Sequence, residues 1–198
     1  LRAMKEKFQS NLDLREKSEN PEALTQIQDA MADREVAKVK MHVLCCGGTG
    51  CTSSGCDAII NFCKLKTHGM MGMSCAVKNM FGVVPGTLKP EYHYRFPNHE
   101  DFADMIVDLN EYFAPKMRLC LCDAVIGMEG NGPTAGEPRK IGALIASTSP
   151  YKLDLIAANI IGLTCDNVPT LEAAYRRGLA PRTAAELSEG ILLADSSS

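Results

Sequence analysis

One stretch constrains this chain more than any other: residues 64–86, KLKTHGMMGMSCAVKNMFGVVPG. It sets Lys64, Lys66, Lys78 and His68 among four glycines and small apolar residues. A later stretch, residues 122–136, CDAVIGMEGNGPTAG, answers it: an apolar run ends in Glu129 and a glycine-rich loop. Basic side chains facing a loop that exposes its backbone predict a pocket for a small anionic ligand. Lys64 and Lys66, two apart in a strand-like segment, point the same way. His68, beside glycines, is the candidate general base or ligand, with a hydrogen-bonded structural histidine as the alternative. Lys78 and Asn79 join the candidate pocket from a short helix. Glu129 and Asn131 either hold a ligand or cation or serve turn chemistry, since Asn-Gly-Pro is a strong turn former. Asp123 either belongs to the site or supplies polarity at a strand end. His93 and His99 are expected at the surface.

Around these two stretches the pattern alternates between strands and helices. Residues 58–65, AIINFCKL, read as a buried strand, and residues 74–81 as a short helix. The segment 87–97 reads as a loop. Asn98 caps a helix with Glu100 and Asp101 in its first turn. In that helix Phe102, Met105, Ile106, Leu109 and Phe113 form a buried stripe at helical spacing. Residues 117–126 and 141–147 are two further strands. Ser149-Pro150 starts a helix that ends before Gly162, and Thr170 and Thr183 open two short ones, the second with a capping box to Glu186. Strand, helix, strand, helix is the pattern of an α/β unit, expected here as a partial, mostly parallel sheet flanked by helices. Ligands in such sheets gather at the carboxyl ends of strands, where His68 and Glu129 fall.

Ahead of this unit, residues 2–18 and a second segment from Asn20 to about Val36 read as amphipathic helices, a helical leader. Four regions result: a leader over residues 1–39, a cysteine loop over 40–56, the α/β domain over 57–190, and a tail over 191–198 without structure signals. The net charge of −3 offers no polyanion-binding face, so no nucleic-acid partner is expected. No apolar run approaches the roughly 18–20 residues that cross a bilayer, and the start lacks a signal-peptide core, so a cytoplasmic protein is expected.

Nine cysteines in such a setting point away from disulfides, and six of them fall within residues 45–75. Cys46 and Cys51 form a Cys-x4-Cys pair in a glycine-rich loop that follows a short strand, residues 40–45. Such a loop lets thiolates converge on one metal and leaves backbone N–H groups for the sulfurs. Cys45, Cys56 and Cys63 are weaker ligand candidates. Zinc is the alternative to iron, since the pair fits a zinc half-site. Cys63, Cys75, Cys120, Cys122 and Cys165 lie in apolar runs, as core thiols do.

Two resemblances sharpen these expectations. HVLCCGGTGCTSSG, with the leader before it, resembles the start of the thioredoxin-like [2Fe-2S] ferredoxin domain in the NADH-binding subunit of bacterial NADH dehydrogenases and NAD(P)-linked hydrogenases. That resemblance covers roughly residues 1–55 and implies Cys46 and Cys51 as the first two cluster ligands. The second ligand pair of that family, Cys-x3-Cys, does not occur in this sequence, so Cys56, Cys63 or a second chain is expected to complete the set. Residues 58–190 resemble the family catalogued as domain of unknown function 362, through KLKTHGMMGMSCAVKNMFG, PEYHYRFPNHEDFADMIVDLNEYF, CDAVIGMEGNGPTAG and SPYKLDLIAANIIGL. Members often carry [4Fe-4S] cysteine motifs after this domain.

The resemblances together imply an iron–sulfur-associated redox or electron-transfer protein, a fusion or a fragment, with a redox partner such as a dehydrogenase or hydrogenase complex. The residues alone support a second expectation, an α/β domain that binds or converts a small anionic ligand without a cluster. No dinucleotide or P-loop fingerprint is present, so NADH binding by this chain is not expected.

Overall fold

The computed structural model describes residues 41–45, 58–187 and 192–195, with side chains described between 58 and 187. The leader expected over residues 1–39 and the cysteine loop that carries Cys46, Cys51 and Cys56 lie outside the described residues, as does the Cys45 side chain. Six strands form one sheet in the order β1 (Met41–Cys45), β2 (Ala58–His68), β4 (Met117–Glu129), β5 (Glu137–Ser147) and β6 (Leu192–Asp195). The short β3 (Gly72–Ser74) folds back on the end of β2.

The α/β class holds, but the sheet is mixed. β1 and β4 flank β2 in parallel, whereas β3, β5 and β6 join antiparallel. The reason is the length of the connections. A parallel crossover needs a dozen or more residues. The chain between β2 and β4 is long enough and carries helices, but β4 and β5 are joined by the glycine loop alone, so they form a hairpin. Two local expectations also change. The segment expected as a loop contains a helix, α2 (Lys89–Arg95), because Pro90 sits in its first turn, where a missing N–H is harmless. The tail expected without structure contributes β6, which pairs with the edge that β5 offers.

The helices form where the caps direct them. After β3 comes one turn of helix, α1 (Ala76–Asn79), continued by a 3-10 turn at Met80–Val83. In α3 (His99–Phe113) the Asn98 side chain accepts the Asp101 N–H at 2.8 Å. In α4 (Pro150–Ile160) the Ser149 hydroxyl accepts from Lys152, and Gly162, in the left-handed region at φ +76°, follows its end. The fifth helix, α5 (Pro169–Arg176), lies against α3, and Arg177 just beyond it pairs with Asp104 at 2.9 Å and Asp108 at 2.6 Å.

Strand alternation decides which side chains enter the core. In β2, Cys63 and Leu65 are buried while Lys64 and Lys66 are only half-buried. In β4, Cys120, Cys122 and Ala124 are buried while Leu121 and Asp123 between them are half-buried. The buried set packs on Ala76 and Met80 and on Leu153, Leu155, Ala157 and Ala158 of α4. A second cluster lies farther out, where Phe102 and Ile106 of the expected α3 stripe meet Val77, Phe81 and Tyr151. Leu65, Met73, Met80 and Leu153 are fully buried, each worth about 1.5–3 kcal/mol of apolar burial. This packing holds α1 and α4 rigidly over the cysteine-bearing face of the sheet.

Candidate metal centre

Three cysteines converge beneath α1. The parallel register sets Cys63 of β2 beside Cys122 of β4, with both thiols on the packed face. Cys75, the residue before α1, closes the group from above. Its Sγ lies 3.6 Å from that of Cys63 and 3.4 Å from that of Cys122. All three sulfurs lie within 4.8 Å of one another, and all three residues are buried. The group shares its protons unevenly. Hydrogen bonds from Cys63 and Cys75 favour the thiolate at Cys122, whose pKa is lowered. The bond to Cys122 raises the Cys63 thiol, and burial raises that of Cys75. The arrangement therefore has one sulfur disposed to ionise and two that donate to it.

A buried aspartate holds the triad in place. Asp154 of α4 is 1% exposed. Its carboxylate accepts the Ala76 N–H at 2.7 Å and the Val77 N–H at 3.1 Å, satisfying the first turn of α1 from a distant helix. Burial pushes its pKa up to about 7, and the amides of Val77 and Ala76 and the thiol of Cys75 pull in the other direction. Below the triad, Asn61 of β2 is completely buried. It donates to the Ala76 carbonyl at 2.7 Å and accepts from the Asn79 side chain at 2.7 Å. Both ends of α1 are thus tied to the sheet and to α4, and Cys75 cannot move independently of them.

The residues expected to form one anion pocket are distributed over several environments. Lys64 and Asp123 are register partners on the sheet face opposite the cysteines, paired at 3.1 Å. Lys66 lies on that same face of β2, opposite Met128 and Ser74. Glu129 pairs with Arg139 across the hairpin at 3.5 Å, and Asn131 is exposed in the turn. The glycine loop does close on the end of β2, where Thr67 donates to the Gly130 carbonyl at 2.9 Å. A Cβ on Gly132 would meet the Thr67 carbonyl oxygen at 2.2 Å, so only glycine fits there. Asn79 is a structural amide, bonded to Asn61 and to the Phe62 carbonyl. His68 accepts the N–H groups of Met70 and Met71 on Nδ1, both at 3.2 Å, and so staples the turn between β2 and β3. Burial, with Lys78 and His93 nearby, lowers its pKa to about 4. The structural alternative for His68 therefore describes its Nδ1, while Nε2 remains available as a donor.

The sequence marks Cys63 as a weaker ligand candidate, and Cys75 and Cys122 only as core thiols. They are core residues, but they are clustered ones. Cys75 stands 12 residues from Cys63 and 47 from Cys122, so no local spacing motif reveals the group. The available signal was that Cys75 and Cys122 each sit in one of the two stretches that organise the chain. Cys120 and Cys165 are also buried, outside the triad; Cys165 donates to Glu172 instead.

Over 133 residues the chain is 40% identical to the "Thylakoid-associated protein sll1697" of Synechocystis sp., which covers 67% of this chain and 40% of the relative. The chain thus spans about two-fifths of the length of that relative. No solved structure matches. The family model described as "Domain of unknown function (DUF362)" matches residues 29–159 and so takes in β1, ahead of the expected boundary near residue 57. The match includes the whole cysteine triad and Asp154, and the chain belongs to the DUF362 family.

Proposed function

We propose that Cys63, Cys75 and Cys122 hold a single thiophilic metal ion, iron or zinc, in a redox-associated domain. One observation carries this reading: three buried sulfurs within 4.8 Å of one another. In a tetrahedral thiolate site with metal–sulfur bonds of about 2.3 Å, the sulfurs stand about 3.8 Å apart. The separations from Cys75 to Cys63 and Cys122, 3.6 and 3.4 Å, need only a slight outward shift of the side chains to reach that value. In an iron–sulfur cluster three cysteine ligands never share one iron, so at least one stands farther off than this, and the triad suits one ion better than a cluster. Soft thiolates in a dry site select zinc or iron over magnesium or calcium. The thiolate disposed to form at Cys122 offers the ion its first ligand, and two further deprotonations accompany full coordination. With iron bound, the centre supplies one-electron chemistry, which supports the electron-transfer reading and a redox partner protein. The relative's association with thylakoids, as its name has it, accords with such a partner.

The test is anaerobic loading of reduced protein with Fe(II), Zn(II) and, as a spectroscopic probe, Co(II). One ion per chain and an intense thiolate-to-Co(II) absorption are expected. Cys63→Ser, Cys75→Ser and Cys122→Ser each abolish the band, whereas Cys165→Ser leaves it unchanged. A second reading, a [2Fe-2S] centre on Cys46 and Cys51, makes the opposite prediction. Iron and acid-labile sulfide that persist in Cys122→Ser but vanish in Cys46→Ser would overturn the triad as the metal site.

A further inference from the structure

We infer that Cys75 forms a disulfide with Cys122 or Cys63 when a hydroperoxide reaches the triad, and that this bond expels the metal ion. Release of the ion rests on the metal reading above; formation of the bond does not, since it belongs to the metal-free chain. Cys75 is the shared corner of the group. Its Sγ lies 3.4 Å from that of Cys122 and 3.6 Å from that of Cys63. A disulfide has an S–S length of about 2.05 Å, so closing either gap asks about 1.4–1.6 Å, divided between two side chains. Cys75 can join only one neighbour at a time, and the third sulfur stays a thiol. Either bond ties the start of α1 to a strand of the sheet, Cys122 on β4 or Cys63 on β2.

The chemistry balances with one peroxide per bond. A thiol sulfur attacks a peroxide oxygen, the O–O bond breaks, and one water leaves with the thiol proton, giving a sulfenic acid. The neighbouring thiol sulfur attacks that sulfur. An S–S bond forms as the S–O bond breaks, and a second water leaves. Two cysteines are thus oxidised by two electrons in all, and the peroxide is reduced to two waters. Burial selects the oxidant, because the three residues are at most 3% exposed. A bulky disulfide such as oxidised glutathione cannot reach them. Hydrogen peroxide is little larger than water and needs only a local opening at α1, a single turn of helix. With an ion bound, the new bond withdraws two of the three thiolate ligands, and the one that is left does not hold it.

The experiment treats the full chain, reduced and metal-free, with hydrogen peroxide or with oxidised glutathione, blocks the remaining thiols and maps the disulfides by peptide fragmentation. Peroxide is expected to give Cys75–Cys122 as the main bond and Cys63–Cys75 as the lesser one, and oxidised glutathione neither. Cys75→Ser abolishes both. Cys122→Ser leaves only Cys63–Cys75, Cys63→Ser leaves only Cys75–Cys122, and Cys165→Ser behaves as the parent does. On Zn(II)-loaded protein, a chromogenic chelator is expected to read one zinc released per bond formed. Peroxide that oxidises other cysteines and leaves Cys75 a thiol would overturn the inference, as would a Cys63–Cys122 bond in place of either. The bond mapped in the parent protein decides the matter even where a serine variant fails to fold. A Cys75 disulfide in a chain that binds no metal sinks the metal reading and leaves the bond standing. Zinc that binds and stays bound through peroxide treatment, with no bond at Cys75, does the reverse.

Discussion

Replacing Asp154 with alanine tests how the cysteine site is held together. The carboxylate accepts two buried amides, Ala76 at 2.7 Å and Val77 at 3.1 Å. Each amide left without a partner costs about 1–3 kcal/mol, so the two together cost roughly 2–6 kcal/mol. A second effect works against the first. Burial has raised the pKa of this carboxyl from 3.8 to about 7. Between those values the unfolded chain has released the proton while the folded chain keeps it, so stability falls as pH rises through the window. At about 1.4 kcal/mol per unit, the two units from pH 5 to pH 7 remove roughly 3 kcal/mol from the wild type and nothing from the variant. At pH 5 the wild type already carries about 1.6 kcal/mol of this penalty, so Asp154→Ala is expected to lose roughly 1–4 kcal/mol relative to it there, and about 3 kcal/mol less than that at pH 8. Urea unfolding of the reduced, metal-free protein at the two pH values, with the m-value checked for constancy, measures both numbers. A difference between wild type and variant that is the same at pH 5 and pH 8 would refute the claim that this carboxyl is held protonated by burial. A loss below about 1 kcal/mol at pH 5 would refute its role as the distant cap of α1.

Three further outcomes follow from the same structure. His68 is depressed from 6.5 to about 4, first by burial and then by Lys78 and His93. Its contribution is lost as pH falls through that window, so His68→Asn flattens the acid limb of a stability–pH profile, by about 1–2 kcal/mol once screening of the half-exposed ring is allowed for. Gly72 has φ +70°, and a Cβ there would meet the Asn167 carbonyl oxygen at 2.2 Å, so Gly72→Ala costs about 3 kcal/mol or more in thermal or urea unfolding. Asn79→Ala leaves the buried Asn61 carbonyl oxygen without its 2.7 Å donor and lowers stability by about 1–3 kcal/mol, with faster amide exchange at the end of α1.

Much of the local structure was legible because it depends on short-range rules. The stripe through Phe102, Met105 and Ile106 and the caps at Asn98 and Thr183 follow from helical spacing and side-chain hydrogen bonding, and all of them are present. The direction of β5 was not legible from the order of strands and helices, because it depends on the length of the loop that separates it from β4. The helix at Lys89–Arg95 was hidden by Pro90 and Pro97, which read as breakers unless the first is placed in an opening turn. No side-chain pattern marked Leu192–Asp195 as a strand, since it forms by pairing its backbone with an edge supplied from elsewhere.

The candidate sites were legible in a different and more limited sense. Residues 64–86 are chemically dense, and the sequence alone reads them as one pocket. A strand turns successive side chains to opposite faces, so Cys63 and Lys64 cannot serve the same site. Parallel register then pairs like with like: Cys63 meets Cys122 on the packed face, and Lys64 meets Asp123 on the other. The dry face collects thiols because α1 and α4 cover it. The other face keeps its charges because they are only half-buried and are paired there. Beyond the end of β2 the alternation gives way to a turn, which His68 closes by accepting the Met70 and Met71 N–H groups. The density of chemistry in this stretch thus reflects separate environments reached by one continuous segment. A substitution such as Lys64→Ala, which breaks the pair with Asp123, is therefore expected to leave Co(II) absorption intact, and its loss would mean that the two faces are coupled through the β2–β4 pairing itself.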